Sequence, residues 1–313
     1  MMKTNNFNIK SADGKTDLHV IRWVPEKDIK GILQITHGML EYIDRYDEFA
    51  SYLCQNNYLV VGQDILGHGD SVTEKSKRGF FAQKNGNKIL LEDMYKVMEE
   101  TKEDYPDLPY FHLGHSMGSY LLRQFITIHS EDISGAILVG TGFPPKIVLH
   151  FGIFLTNLFR KLKGDTYRSK LIDNISIGRF NSHYENPNTN VDWISRDEEI
   201  VREYVNDEKI DFIFTVNAYY NMYKSIRFLH DTDHLKKIRE DLPIILMSGQ
   251  EDPIGDFGKA VEATYRILKK IGIENVDIKL YPEARHEIIN EINRSEVYED
   301  ILNWLDRKVE INE

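Results

Sequence analysis

Gly114-His115-Ser116-Met117-Gly118 is the stretch whose reading decides the fold of this chain. It follows Tyr110-Phe111-His112-Leu113, an aromatic and apolar run that reads as a strand, and it precedes Ser119-Tyr120-Leu121-Leu122-Arg123-Gln124-Phe125, which reads as a helix with an apolar face. Strand, G-x-S-x-G, helix is the pattern of a nucleophile elbow, a turn so sharp that its central residue is strained. The flanking glycines let strand and helix approach without a Cβ clash. A serine hydroxyl is a poor nucleophile until a base takes its proton. The elbow therefore requires an acid and then a histidine further along. A helix N-cap accounts for Ser116 alone, but not for both glycines and the partners downstream.

Those partners occur in order. Leu242-Pro243-Ile244-Ile245-Leu246-Met247 is an apolar strand leading into Ser248-Gly249-Gln250-Glu251-Asp252-Pro253. Val276-Asp277-Ile278-Lys279-Leu280-Tyr281 is a second, leading into Pro282-Glu283-Ala284-Arg285-His286-Glu287. Asp252 and His286 thus each fall in a loop beyond a strand, and the order Ser116, Asp252, His286 is that of α/β-hydrolases. Glu251 and Asp256 lie near enough to compete with Asp252 for the acid's place. For the oxyanion, Gly31-Ile32-Leu33-Gln34-Ile35-Thr36 is a strand entering His37-Gly38-Met39-Leu40-Glu41. The backbone N–H groups of Met117, after the nucleophile, and Met39, in this early loop, are the expected donors.

Four stretches together resemble the α/β-hydrolase family of monoacylglycerol lipases and lysophospholipases, whose broader grouping includes serine aminopeptidase-like hydrolases. They are His37-Gly38-Met39-Leu40-Glu41 with Arg45-Tyr46, Asp64-Ile65-Leu66-Gly67-His68-Gly69-Asp70-Ser71, Leu113-Gly114-His115-Ser116-Met117-Gly118-Ser119, and Arg285-His286-Glu287-Ile288-Ile289-Asn290-Glu291. The first motif usually reads H-G-x-G-E-H in that family; here Leu40 and Tyr42 replace its second glycine and final histidine. The resemblance implies an ester hydrolase acting on lipid-like esters of the monoacylglycerol or lysophospholipid type through an acyl-enzyme, with Glu41 at the head group. An aminopeptidase-like amide hydrolase is the alternative within the enzyme class, with Asp197, Glu198 or Glu199 as acids for a free amine. A non-catalytic binding module on the same fold is the alternative from another class.

Strands are expected near 5–12, 17–24, 30–36, 58–63, 109–113, 135–140, 242–248 and 275–281. Helices are expected near 42–56, 87–104, 116–129, 256–271 and 295–309. This alternation predicts an α/β fold, a mostly parallel central sheet flanked by helices. It breaks at 144–235, which predicts a helical cap inserted after the sixth strand, over a core made of 1–143 and 236–313. Within the cap, Ile147-Val148-Leu149-His150-Phe151-Gly152-Ile153-Phe154-Leu155-Thr156-Asn157-Leu158-Phe159 is too short to span a bilayer. It reads as a roof over an acyl pocket, with Phe151, Phe154, Phe212 and Phe214 lining it; Tyr219 and Tyr220 belong to the same wall. Because Arg160, Lys161 and Lys163 follow directly, a transient contact with a membrane surface is a second reading of this helix.

A net charge of −11 over 313 residues argues against a nucleic-acid partner. The single cysteine, Cys54, excludes an intrachain disulfide and reads as a buried thiol. No charged n-region followed by an apolar h-region occurs in residues 1–30, so a cytoplasmic protein is expected. Gly67-His68-Gly69 lacks the spacing of a dinucleotide loop and reads as a turn. His230 and His234 have helical metal-ligand spacing but no third ligand nearby, so no metal and no cofactor are expected. The partner expected is a small ester carrying an acyl chain, and nothing in the sequence sets the oligomeric state.

Overall fold

Valine, isoleucine and leucine runs bounded by turn residues build the centre of the molecule, which a computed structural model describes over residues 2–310. β1 (Lys3–Lys10) and β2 (Asp17–Val24) form an antiparallel hairpin. They are followed by β3 (Gly31–Thr36), β4 (Tyr58–Gln63), β5 (Tyr110–His115), β6 (Gly135–Val139), β7 (Ile244–Gly249) and β8 (Val276–Tyr281). The order across the eight-stranded sheet is β1-β2-β4-β3-β5-β6-β7-β8. β2 runs antiparallel to both neighbours, and the pairs from β4 to β8 are parallel. Strands β3 to β7 are buried along their whole lengths. That is why they read as continuous apolar runs, whereas a sheet with one wet face alternates.

Successive residues of these strands feed two cores. Ile32, Leu59 and Leu138 face the helices α2 (Gly86–Asp104), α3 (Met117–His129) and α9 (Lys259–Lys270). Leu33, Val60 and Ile137 face α1 (Asp47–Gln55) and α10 (Arg294–Glu310), where Trp23 and Trp304 are fully buried. The expected helix over 42–56 divides, since its first turn, Ile43–Tyr46, is a 3₁₀ turn.

Between β6 and β7 no strand joins the sheet. Residues 144–235 hold α4 (Lys146–Lys163), α5 (Lys170–Ser176), α6 (Glu198–Asn206), α7 (Val216–Phe228) and α8 (Thr232–Leu235). α7 packs on α2 and α3, and α4 lies across α7. Thr215 pins the start of α7: its N–H and its hydroxyl both donate to Gly79 O (2.9 and 2.6 Å), while its Oγ1 accepts the Ala218 N–H.

The chain leaves β3 toward β4 on one side and re-enters at β5 on the other. The carboxyl ends of β3 and β5 therefore form a topological switch point, where open α/β sheets hold their ligands.

Candidate active site

Ser116 follows directly on β5 at that switch point, with φ 50° and ψ −116°. This is a sparsely populated region for a residue with a side chain, and holding it costs on the order of 1–3 kcal/mol. The turn is over-determined from both sides. Ser116 N–H donates to Val139 O on β6 (2.9 Å), and Ser116 O accepts the Ser119 hydroxyl (2.6 Å). A Cβ on Gly118 would stand 2.0 Å from Thr36 O, so no other residue lets α3 come this close to β3.

His286 lies in the loop beyond β8, 3 % exposed, with Nδ1 3.0 Å from Asp252 Oδ2. Asp252 is fully buried in the loop beyond β7; the Ser248 hydroxyl donates to Oδ2 (3.1 Å) and the Ile254 N–H to Oδ1 (2.9 Å). Glu251 and Asp256 are both exposed. Asp252 is the acid that meets His286.

The loop after β3 is held by buried charge. Glu41 accepts the Gly38 N–H, His115 Nδ1–H (2.6 Å) and the Tyr46 hydroxyl (3.1 Å). Arg45 stands 3.6 Å from it and grips Glu287 with two bonds, of 2.8 and 2.7 Å. Burial pushes the Glu41 carboxyl up, but the charges of His115 and Arg45 outweigh it and hold it well below the usual carboxylate range. Arg45 does the same for Glu287. Burial pulls the His115 imidazole down, yet Glu41 carries it net above its ordinary value. His37 Nδ1–H donates to Gly38 O while its Nε2 accepts the Ile65 N–H, both at 2.8 Å, which fixes a neutral ring. A Cβ at Gly38 would stand 2.5 Å from Glu41 Oε1 and 2.9 Å from Ser116 Cβ. Leu40, where the resembling family has glycine, carries φ 56°.

Met39, Met117, Ser116 and His286 all line one cavity of about 1570 Å³ that runs beneath α4 and α5. Its far wall is apolar, with Leu149, Leu155, Ile172 and Ile226 among its members. The Met39 N–H has no internal acceptor among the described residues, and Met117 opens α3, where helical N–H groups lack partners. Both residues line the cavity that Ser116 also lines.

Phe151 and Phe212 line the cavity. Phe154 does not: it is 65 % exposed on the outer side of α4, five residues on from the buried Leu149 and so about 140° round the helix from it. Phe214 does not either. It is fully buried against Phe81, His68 and Tyr219 and belongs to the hydrophobic core. A periodic apolar run marks a helix as amphipathic without saying which stripe faces inward. Glu41 reaches the cavity wall, and both its oxygens also serve protein donors, through which it holds the Gly38 turn.

Asp197, Glu198 and Glu199 lie outside the cavity lining. Asp197 caps α6 and pairs with Arg294 (3.1 Å), and Glu199 pairs with Arg202 (3.1 Å). His230 Nε2–H donates to Pro144 O (2.9 Å) and His234 stacks on Phe228. His19, Asp64 and Asp70 offer ligand atoms within 4.8 Å of one another. Asp64 is already taken up by Ile43 N–H, Asp70 N–H and His19, and Asp70 by Lys209. Cys54 is buried on α1, its thiol pushed up by burial to about 12, away from the cavity.

Against known proteins, a profile described as serine aminopeptidase, S33 (Hydrolase_4) matches residues 27–293. The chain belongs to this family. It is 25 % identical to the monoglyceride lipase of Rattus norvegicus over 97 % of this chain and 91 % of that protein. It is 23 % identical to the monoacylglycerol lipase of Mycolicibacterium smegmatis over 90 % of each. Among solved structures, a thermostable carboxyl esterase from Bacillus coagulans in complex with glycerol superimposes with TM-score 0.91 at 28 % identity, covering 99 % of this chain and all of that one. A soluble variant of the Saccharomyces cerevisiae monoglyceride lipase shares the fold, with TM-score 0.75 at 21 % identity over 98 % of this chain and 94 % of that one. This S33 member is therefore an α/β-hydrolase of monoglyceride-lipase type. No helix among its described residues is long and apolar enough to cross a membrane.

Trp193 and Glu287 carry no sequence signal for the part they play. The carbonyls of Trp193 and Ile194 accept the N–H groups of His286 and Glu287 (3.3 and 2.7 Å), and any residue type supplies a carbonyl. Glu287 and Arg45 both fall in the motifs of the resemblance, but their pairing across the chain is visible only in three dimensions.

Proposed function

We propose that this protein is a serine ester hydrolase acting on small lipid-like esters with an acyl chain. The observation that carries the reading is that the buried Asp252–His286 pair and a Ser116 of positive φ meet in the wall of one largely apolar cavity, which His286 and Ser116 both line. Ser116 Oγ attacks the ester carbonyl as His286 takes its proton. Asp252, on Nδ1, fixes the tautomer that leaves Nε2 free to accept and stabilises the imidazolium that forms. The Met39 and Met117 N–H groups receive the oxyanion, a contribution of about 3–4 kcal/mol for a well-placed donor. His286 returns the proton to the leaving alcohol, and water, deprotonated by the same base, releases the acid.

Residues 144–235 act as the cap over a core of 1–143 and 236–313, and the acyl chain lies along Leu149, Phe151 and Phe212. The outward stripe of α4, with Ile147, Phe154 and Leu162 exposed and Arg160, Lys161 and Lys163 at its end, supports a transient contact with a lipid surface.

The test is labelling with a fluorophosphonate probe alongside turnover of p-nitrophenyl esters, monoacylglycerols, lysophospholipids and aminoacyl amides. Wild type should label and turn over esters; Ser116→Ala should not label and should lose several orders of magnitude in kcat. Retained activity in Ser116→Ala, or preference for the amides, overturns the reading.

A further inference from the structure

Glu291 is completely buried, yet it lies outside the cavity. A buried carboxylate is costly unless its acceptor sites are filled, and here donors from two separate parts of the chain fill them. Oε1 accepts the N–H groups of Arg285 (2.8 Å) and Arg196 (3.1 Å). Oε2 accepts Arg196 Nε–H (3.0 Å) and the Ile292 N–H (3.0 Å). Arg285 belongs to the loop that bears His286, and Arg196 to the insertion.

The same two segments are laced together on either side of this carboxylate. Arg285 Nη1 donates to Asp192 O (2.5 Å) and Ser195 O (3.1 Å), and the Ser195 hydroxyl donates to Asn290 O (2.9 Å). Three consecutive N–H groups around the base, those of Arg285, His286 and Glu287, go to Glu291, Trp193 and Ile194 respectively. The loop thus has no sheet partner where it carries His286; the insertion supplies one.

We infer that Glu291 is a positioning residue for His286, acting through a clamp in which segment 192–196 of the insertion is fixed to the base loop. The inference rests on His286 being the base. It places 192–196 with the core that carries the base loop.

Steady-state kinetics on a short-chain p-nitrophenyl ester test it, with Glu291→Gln, Arg196→Met and Arg196→Lys compared against wild type and His286→Ala. Gln keeps the length of Glu291 but has one acceptor oxygen, and Met removes the Arg196 Nε–H bond. Misplacing a catalytic group by about 1 Å costs up to roughly a hundredfold, so kcat should fall about tenfold or more in Glu291→Gln and Arg196→Met. KM should stay within about twofold, since neither residue lines the cavity. The acid limb of kcat/KM should move to lower pH, because an imidazolium drawn off Asp252 loses its stabilisation. Arg196→Lys, which can still reach Glu291 with a charge, should recover part of kcat. A purely structural role lowers the melting temperature without moving kcat or the acid limb.

Arg196 is partly exposed, so Arg196→Met decides the matter if Glu291→Gln does not fold. A folded Arg196→Met with wild-type kcat and acid limb overturns the inference, as does a loss confined to KM. Full activity in His286→Ala defeats instead the assignment of the base, whatever the other variants do.

Discussion

Asp252 is distinguished from its neighbours by burial and by the bond it makes. It is fully enclosed 3.0 Å from His286 Nδ1, whereas Glu251 and Asp256 face water. Replacing Asp252 by Asn keeps the shape but offers His286 the wrong tautomer, a change that costs about 10⁴ in kcat in a Ser-His-Asp site. Asp252→Asn should therefore approach Ser116→Ala in kcat, while Glu251→Gln and Asp256→Asn stay within a few-fold of wild type. Full activity in Asp252→Asn would remove it from the mechanism. This acid could be placed from the sequence to within a loop, since strand and turn signals are local. Excluding the two other acids within the same six residues, Glu251 and Asp256, needed burial, which is not local. Phe154 and Phe214 show the same limit from the other side. Both lie in runs that announce an apolar face, but only packing decides that one looks outward and the other lies in the core.

Strand positions were legible nearly to the residue, as with β4 over Tyr58–Gln63, because fully buried parallel strands leave unbroken apolar runs. The β1–β2 hairpin is anchored by a device that leaves no such trace. Asp93, buried on α2, accepts the Ser11 hydroxyl (2.9 Å) and the Ala12 N–H (2.7 Å) at the turn. Burial pushes its carboxyl up to about 6, against the pull of those same hydrogen bonds. The sign of the linkage follows. A folded-state value above the unfolded one means that this group's contribution to stability is complete below about pH 4 and is lost as pH rises through about 6. A displacement of about two units corresponds to roughly 2–3 kcal/mol. Chemical denaturation of wild type and Asp93→Asn at pH 4.5 and pH 7.5 measures it. The variant should gain on wild type by about 1–2 kcal/mol between the two values, since it cannot ionise. An unchanged difference would mean that Asp93 carries an ordinary carboxyl in the folded protein. The glycine turns of the site behave differently from this anchor. Gly118 and Gly38 are demanded by close approach of backbone and side chain, so their spacing around Ser116 and Glu41 is visible in the sequence even though the contacts are not.

If the insertion caps the core as proposed, chain length is the property that links fold to function. The cavity of about 1570 Å³ is far larger than an acetyl group needs, and its wall beneath α4 and α7 is built of aliphatic side chains such as Leu149 and Ile226. Each buried methylene is worth about 0.8 kcal/mol, so four more carbons gain roughly 3 kcal/mol if all of them reach that wall. This corresponds to about a hundredfold in kcat/KM, provided product release stays fast. The two phenylalanines of α4 separate this pocket effect from a general weakening of the cap. Phe151 borders the cavity although 54 % exposed, while Phe154, three residues on and 65 % exposed, does not reach it. Phe151→Asp should flatten the rise in kcat/KM from acetate to octanoate with acetate turnover largely kept, because a carboxylate beside the acyl chain removes its apolar contact. Phe154→Asp should leave the rise intact in solution below the micelle threshold, and should weaken turnover only on substrate presented in vesicles, where its stripe of α4 would meet lipid. The measurement is kcat/KM against chain length for wild type and both variants, with monomeric and vesicle-borne esters side by side. A wild-type profile that is flat or peaks at acetate excludes the acyl pocket. Equal damage by both substitutions in solution would assign the effect to the stability of the cap, not to its inner face.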